Sequence, residues 1–146
     1  MQSSITIQEK FGIAIGEVGR AWRAKLNKML KPLGMSQSKW RALLYISRAP
    51  QGMTQAELAA MLGIEAPTAT RLIKQLEEAG WVSRRPLPSD ARCKMVHLTA
   101  RAQEVIIQID AAVKQLRAET LGRLSAEQAK AGLEAVLALQ ERLDQL

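Results

Sequence analysis

The chain has 146 residues, of which 47% are hydrophobic and only 3% are aromatic, and its net charge is +7. This length suits one domain or two tightly joined subdomains, and the apolar share excludes a disordered chain. A core of aliphatic residues with few aromatic ones favours helices, and the basic balance favours a polyanionic partner.

The positive charge lies before residue 102. Residues 1–50 hold nine Lys and Arg against two acids, residues 68–101 hold seven against three, and residues 102–146 hold five against seven. The C-terminal part is therefore not expected to dock a polyanion. The single cysteine, Cys93, cannot form an intrachain disulfide, which fits a reducing cytoplasm. The first ten residues lack a signal-peptide pattern, and no apolar run is long enough to span a membrane.

Apolar residues recur at steps of three and four from Ile7 to Leu33, which predicts one long amphipathic helix. Ser36 is a candidate N-cap of a second helix, which stops before Pro50. This segment precedes the most informative part of the chain.

The segment from Met53 to Leu98 contains two short helical patterns and a basic hairpin. Thr54 and Glu57 form a capping-box pattern at the first helix, and Gly63 ends that helix as a residue free to adopt positive φ. A proline at position 67 suits the first turn of the next helix. Residues 81–85 and 94–98 read as two strands joined by a turn over 86–90. The pattern predicts a winged helix-turn-helix, with the motif over about 54–79 and the wing over about 82–98.

Two more helices complete the chain. Thr99 is a candidate N-cap of the first, and Ser125 with Gln128 forms a capping box at the second. The predicted order is ααααββαα, a mainly α fold with a β wing. The apolar stripes of the terminal helices are too long for the central module to cover, so pairing with a second copy is expected.

The exposed face of the second motif helix and the wing are the candidate DNA contacts. Threonine can contact base edges or thymine methyl groups, arginine can bind guanine in two places, and lysine can reach phosphate. A minor groove concentrates negative potential, which attracts an inserted arginine such as the one just past the wing tip. The acid of the wing is expected to hold that arginine or the turn in place. The predicted contacts are Pro67, Thr68, Thr70, Arg71, Lys74, Arg84, Arg85, Asp90, Arg92 and Lys94.

These motifs resemble those of MarR-family transcriptional regulators, nearest to the SlyA-like branch. The resemblance covers nearly the whole chain. The matching residues are Trp22-Arg23-Ala24, Leu30 to Leu33, Trp40, Leu62 to Glu65 with Pro67, Arg71, Gln75 to Glu77, Gly80, and Ser89-Asp90-x-Arg92-x-Lys94 followed by Leu98-Thr99.

The resemblance implies a homodimer with intertwined first, fifth and sixth helices. It implies recognition helices in successive major grooves of a near-palindromic operator and a wing arginine in the minor groove. The implied domains are a dimerisation helix over 1–34, a DNA-binding lobe over 35–100 and dimerisation helices over 101–146. Ala91 is a departure, because SlyA-like proteins often have a second wing arginine there, so the affinity of the wing for DNA is expected to be lower.

The resemblance also implies a small aromatic carboxylate as an effector. The positions that line such a site in SlyA-like proteins match Arg20, Arg23 and Trp40. An aromatic side chain can pack against the ring of an aromatic acid while a guanidinium binds its carboxylate. The alternative interpretation makes Trp40 a core residue and the two arginines a solvated helix face.

Other interpretations stay open at this point. The same scaffold could serve as a protein-interaction module without an operator, and a regulator could be a repressor or an activator that displaces a silencing protein. Cys93 is either a small strand residue or a redox switch in the wing. An enzyme is not expected. His97 and Cys93 have no third residue to orient them as a catalytic triad needs, and the sequence contains no glycine-rich phosphate-binding loop. No cofactor or metal is expected, and the protein is placed in the cytoplasm, associated with the nucleoid.

Overall fold

The computed structural model describes residues 3–146 and divides into two compact units, one reaching to Ala112 and the other Val113–Leu146. Residues 1 and 2, which begin the predicted dimerisation segment 1–34, lie outside the described part. The fold is mainly helical with a small antiparallel sheet, so the predicted class is confirmed. The helices are α1 (Ile7–Met29), α2 (Gln37–Ser47), α3 (Gln55–Leu62), α4 (Ala66–Glu78), α5 (Gln103–Glu119) and α6 (Ala126–Asp144).

The helix starts test the predicted caps directly. Ser36 caps α2, and Ser125 with Gln128 forms a complete capping box at α6, as predicted. At α3 only half of the predicted box forms, because Thr54 accepts from the amide of Glu57 while the Glu57 carboxylate accepts from the Thr54 hydroxyl. Thr99 takes the predicted N-cap position, at the 3-10 turn that leads into α5, but its side chain makes no capping hydrogen bond. Its hydroxyl donates to the carbonyl of Gly80 instead, which ties the start of α5 to the end of α4.

The sheet has three strands, β1 (Met53–Thr54), β2 (Val82–Leu87) and β3 (Asp90–Leu98), in the order β1-β3-β2. The predicted order ααααββαα lacked β1, since a two-residue strand shows no alternation. The wing strands are also longer than predicted, so the turn is confined to the residues just before Asp90. The wing is therefore a two-stranded hairpin with a short turn between β2 and β3.

The core of the first unit lies where α2, α3 and α4 pack with the sheet. Its largest fully buried side chains include Trp40, Leu43, Leu58, Ile73 and Val96. Gly63 ends α3 with φ +68, the left-handed conformation that the sequence pattern predicted. This turn sets where α4 begins, and α4 buries Leu72, Ile73 and Leu76.

Large apolar side chains on α1 and α6 remain exposed in the single chain. On α1, Ile7 is 75% exposed and Val18 is 65% exposed, and on α6 Leu133 is 59% exposed and Leu143 is 69% exposed. Isolated exposed apolar residues are ordinary, but rows of them along whole helices indicate surfaces that bind another protein. No helix within residues 3–146 has both the length and the apolar character needed to cross a membrane.

Candidate nucleic-acid interface

Helix α4 has one buried and one exposed side. Ala69, Leu72, Ile73 and Leu76 are buried against the first unit, so the orientation of the helix about its own axis is fixed by packing. Pro67 lies in the first turn, where its missing N–H costs no hydrogen bond. The predicted contact residues of this helix all lie on the exposed side: Pro67, Thr68, Thr70, Arg71 and Lys74.

Of these residues, Thr70 is already engaged. Its hydroxyl donates to the carbonyl of Ala66 at 3.0 Å and accepts from the side-chain amide of Gln55 at 2.5 Å. Thr68, Arg71 and Lys74 make no side-chain hydrogen bond or ion pair within residues 3–146. The basic side chains of α4 are therefore available to an external anion, whereas the Thr70 hydroxyl has a defined direction.

The wing tip is held by its one acid. The Asp90 carboxylate accepts from the backbone amide of Arg92 at 3.0 Å, so it fixes the turn rather than pairing with the guanidinium. Of the two roles predicted for Asp90, the structure shows the one in the turn. Arg92 is exposed and follows this turn directly. Its side chain is thus free to reach away from the wing.

The two arginines of β2 lie on opposite faces of the hairpin. Side chains alternate along a strand, so Arg84 shares a face with its partner Val96 and with Lys94, and Arg85 lies on the other face. Arg84 donates to the Glu77 carboxylate of α4 at 3.0 Å. This ion pair joins α4 to the base of the wing. It also neutralises the charge of Arg84, one of the residues predicted to contact DNA.

Replacing Glu77 with glutamine is expected to lower the free energy of unfolding by less than about 1 kcal/mol at neutral pH, because both partners are partly exposed. The hydrogen bond from Arg84 lowers the pKa of Glu77 below its ordinary value of 4.5. The stabilisation is thus present above 4.5 and disappears as the pH falls through the lowered value. Urea unfolding at neutral and acidic pH measures this difference.

The matched control is Glu78→Gln, which changes the adjacent exposed glutamate. Glu78 makes no ion pair in the described part of the chain. A Glu77 variant that keeps its full deficit in acid, or that behaves like the Glu78 variant at every pH, would contradict the ion-pair interpretation.

Of the predicted effector residues, Arg20 and Arg23 lie on α1 and Trp40 lies on α2. Trp40 is 1% exposed and its indole N–H donates to the Asn27 side chain at 3.2 Å, which makes it a core residue. The guanidinium of Arg20 lies beside Gly16, and that of Arg23 beside Gly19, along α1 itself. Two cavities in the first unit, of about 670 and 210 Å³, are lined by other residues. The Trp40 ring expected to pack against an aromatic acid is thus buried in the single chain.

The sequence did not predict two side-chain contacts at this candidate interface. Gln55 contacts Thr70 across the helix-turn-helix, and Glu77 contacts Arg84 across the junction of helix and wing. Both partners are seven or more positions away along the chain, so no local pattern signals them. Cys93 and His97 lie in β3, as predicted for strand residues.

Comparison with known proteins places these features in a family. The model described as the MarR family matches residues 33–92, which include α2, the helix-turn-helix and the wing tip. The transcriptional regulator PA3341 is 34% identical, with 93% of this chain and 99% of that chain covered and a TM-score of 0.88. Wild-type MarR from E. coli, in its apo form, is 30% identical, with 94% and 97% covered and a TM-score of 0.70.

A more distant structure shares the fold. CouR from Rhodococcus jostii RHA1, bound to p-coumaroyl-CoA, is 22% identical, with 93% of this chain and 95% of that chain covered and a TM-score of 0.80. Fold similarity therefore extends over nearly the full length of the chain, beyond the segment that the family model matches.

Proposed function

The chain belongs to the MarR family of transcriptional regulators, and on that premise we propose that it binds a near-palindromic operator as a homodimer and regulates transcription from it. The observation that carries this proposal is the exposed side of α4. Arg71 and Lys74 project from a helix whose opposite side is fully buried, so their direction is set by the core. Helices of this kind present the residues near their N-terminus to base edges in a major groove.

The wing supplies the second contact in this proposal. Arg92 is exposed at the end of a two-stranded ribbon and has no acidic partner within residues 3–146. A guanidinium at this position suits the negative potential of a narrow minor groove. Arg85 and Lys94 are proposed to contact phosphates, and Arg84 contributes less because Glu77 already holds it.

A homodimer is proposed because α1 and α6 expose apolar rows. Two recognition helices then address half-sites about 34 Å apart, one helical turn of DNA, which the symmetry of a near-palindrome matches. We propose the SlyA-like branch, a cytoplasmic, nucleoid-associated protein, and a role as repressor or as an activator that displaces a silencing protein.

We also propose a small aromatic carboxylate as effector. Arg20 and Arg23 are the cations that would bind its carboxylate, as they lie three positions apart on α1 and neither has an acidic partner in the described part of the chain. CouR, which shares the fold, is bound to p-coumaroyl-CoA, a thioester of an aromatic acid. Calorimetry with a panel of aromatic acids tests this, with Arg20→Ala and Arg23→Ala as the variants that should lose the heat of binding.

Selection of bound fragments from random DNA, followed by a salt titration, tests the central proposal. We expect the selected duplex to bind about 10³-fold or more tightly than a scrambled duplex at physiological salt. Both affinities should fall steeply as salt rises, because Lys and Arg displace counterions from phosphates. Equal affinity for the two duplexes would contradict the proposal and favour a protein-interaction module with a basic surface.

A further inference from the structure

One hydrogen bond joins α3 to the exposed side of α4. The side-chain amide of Gln55, the first residue of α3, donates to the Thr70 hydroxyl at 2.5 Å. The same hydroxyl donates to the carbonyl of Ala66, one turn earlier in α4. A hydroxyl has one hydrogen and two lone pairs, so its hydrogen and one lone pair are both in use. What Thr70 has left for an external partner is one lone pair and its methyl group.

This arrangement bears on the proposed DNA-binding function, on which the inference rests. We infer that Gln55 is a positioning residue that determines which chemical groups Thr70 presents to base edges. With Gln55 in place, Thr70 can contact a thymine methyl group or accept from the amino group of adenine or cytosine. It cannot donate to the N7 and O6 acceptors of guanine. Gln55 thus contributes to sequence preference without itself facing the base.

The physical reason is the rotameric freedom of threonine. Threonine in a helix adopts two side-chain rotamers. Both occur because the hydroxyl can donate a hydrogen bond to a backbone carbonyl of the preceding turn. A donor on the adjacent helix favours the rotamer in which a lone pair of the threonine hydroxyl faces that donor. The bond from Gln55 supplies such a donor from the neighbouring element of the motif. When DNA excludes water from this surface, the bond strengthens and the choice of rotamer becomes tighter.

Base preference in the operator, measured by fragment selection and by binding to single-base variants, tests the inference. Gln55→Leu removes the donor, so that only the Ala66 carbonyl still holds the Thr70 hydroxyl, which can then turn from that carbonyl towards a base. We expect it to relax discrimination against guanine at one position of each half-site by about fivefold or more, the scale of a single mismatch. Thr70→Val removes the hydroxyl and keeps the shape of the side chain. In the Thr70→Val background, Gln55→Leu is expected to have no further effect on base preference.

Replacement of thymine by deoxyuracil supplies a second readout. It removes only the methyl group from the DNA, so wild-type protein should lose affinity at the thymine that Thr70 contacts. Thr70→Ser lacks the partner methyl group and should be indifferent to that replacement. Gln51→Leu is the matched control, as Gln51 is exposed in the loop before β1 and makes no side-chain hydrogen bond in the described part of the chain.

Three outcomes would overturn the inference. The first is a Gln55→Leu protein with wild-type base preference, and the second is full additivity of Gln55→Leu and Thr70→Val. The third is a uniform loss of affinity for all sequences, which assigns Gln55 to phosphate contact alone. A wild-type protein that prefers no sequence would instead overturn the proposed function, so the two failures are distinguishable.

Discussion

The double variant Leu133→Glu/Val136→Glu is expected to be monomeric and to bind the operator about 100-fold or more weakly than the wild type. The two residues lie three positions apart in α6, on one side of the helix, and are 59% and 45% exposed in the single chain. Each protomer of a symmetric dimer would bring two carboxylates into the interface, which gives four unpaired charges. Burying unpaired charges in an apolar interface is strongly unfavourable. Loss of the second half-site then removes the gain that linked binding provides, about 10²–10⁴ in affinity.

Light scattering gives the oligomeric state, and titration of full and half operators gives the affinity. The monomer should bind full and half operators alike, whereas the wild type should strongly prefer the full one. Ala138→Glu is the matched control, since it adds a carboxylate to the same helix on the side away from Leu133 and Val136. A double variant that remains dimeric, or a monomer that binds the full operator like the wild type, would contradict the proposed assembly.

The sequence predicted those features that local chemistry determines. Gly63 ends α3 because the turn needs a positive φ, and Ser125 caps α6 because its hydroxyl reaches the amide of Gln128 three residues on. The exposed side of α4 was predictable for the same reason, as helical periodicity separates Leu72 and Leu76 from Arg71. Each of these signals lies within a few residues along the chain.

The features that the sequence did not predict depend on tertiary register. Strand β1 exists because two residues meet the far end of β3, and Met53 pairs with Val96. The hydroxyl of Thr99 bonds Gly80 because the hairpin brings its own two ends together, which no capping pattern indicates. The number of arginines in the wing is likewise a poor guide to how many are available to bind DNA. The sequence does not show that Arg84 forms an ion pair with Glu77.

Replacing Arg71 with alanine is expected to weaken operator binding by about 1–3 kcal/mol per half-site, and hence by about 2–6 kcal/mol in the proposed dimer. Arg71 is exposed on α4, and no carboxylate within residues 3–146 pairs with it. Its planar guanidinium can donate two parallel hydrogen bonds to the N7 and O6 atoms of one guanine. Binding to operators in which each guanine in turn is replaced measures both the loss and the position that Arg71 reads.

Arg71→Lys separates charge from geometry in this prediction. Lysine keeps the positive charge but lacks the planar fork, so the salt dependence should stay close to that of the wild type while the preference for guanine falls. Lys74→Ala should do the reverse, because the loss of a phosphate contact lowers affinity for all sequences and reduces the salt slope by about one per protomer. The contrary result is that Arg71→Ala weakens binding to all duplexes equally, which is the result expected for Lys74→Ala. That outcome would assign Arg71 to a phosphate contact, and another side chain of α4 would then contact the base.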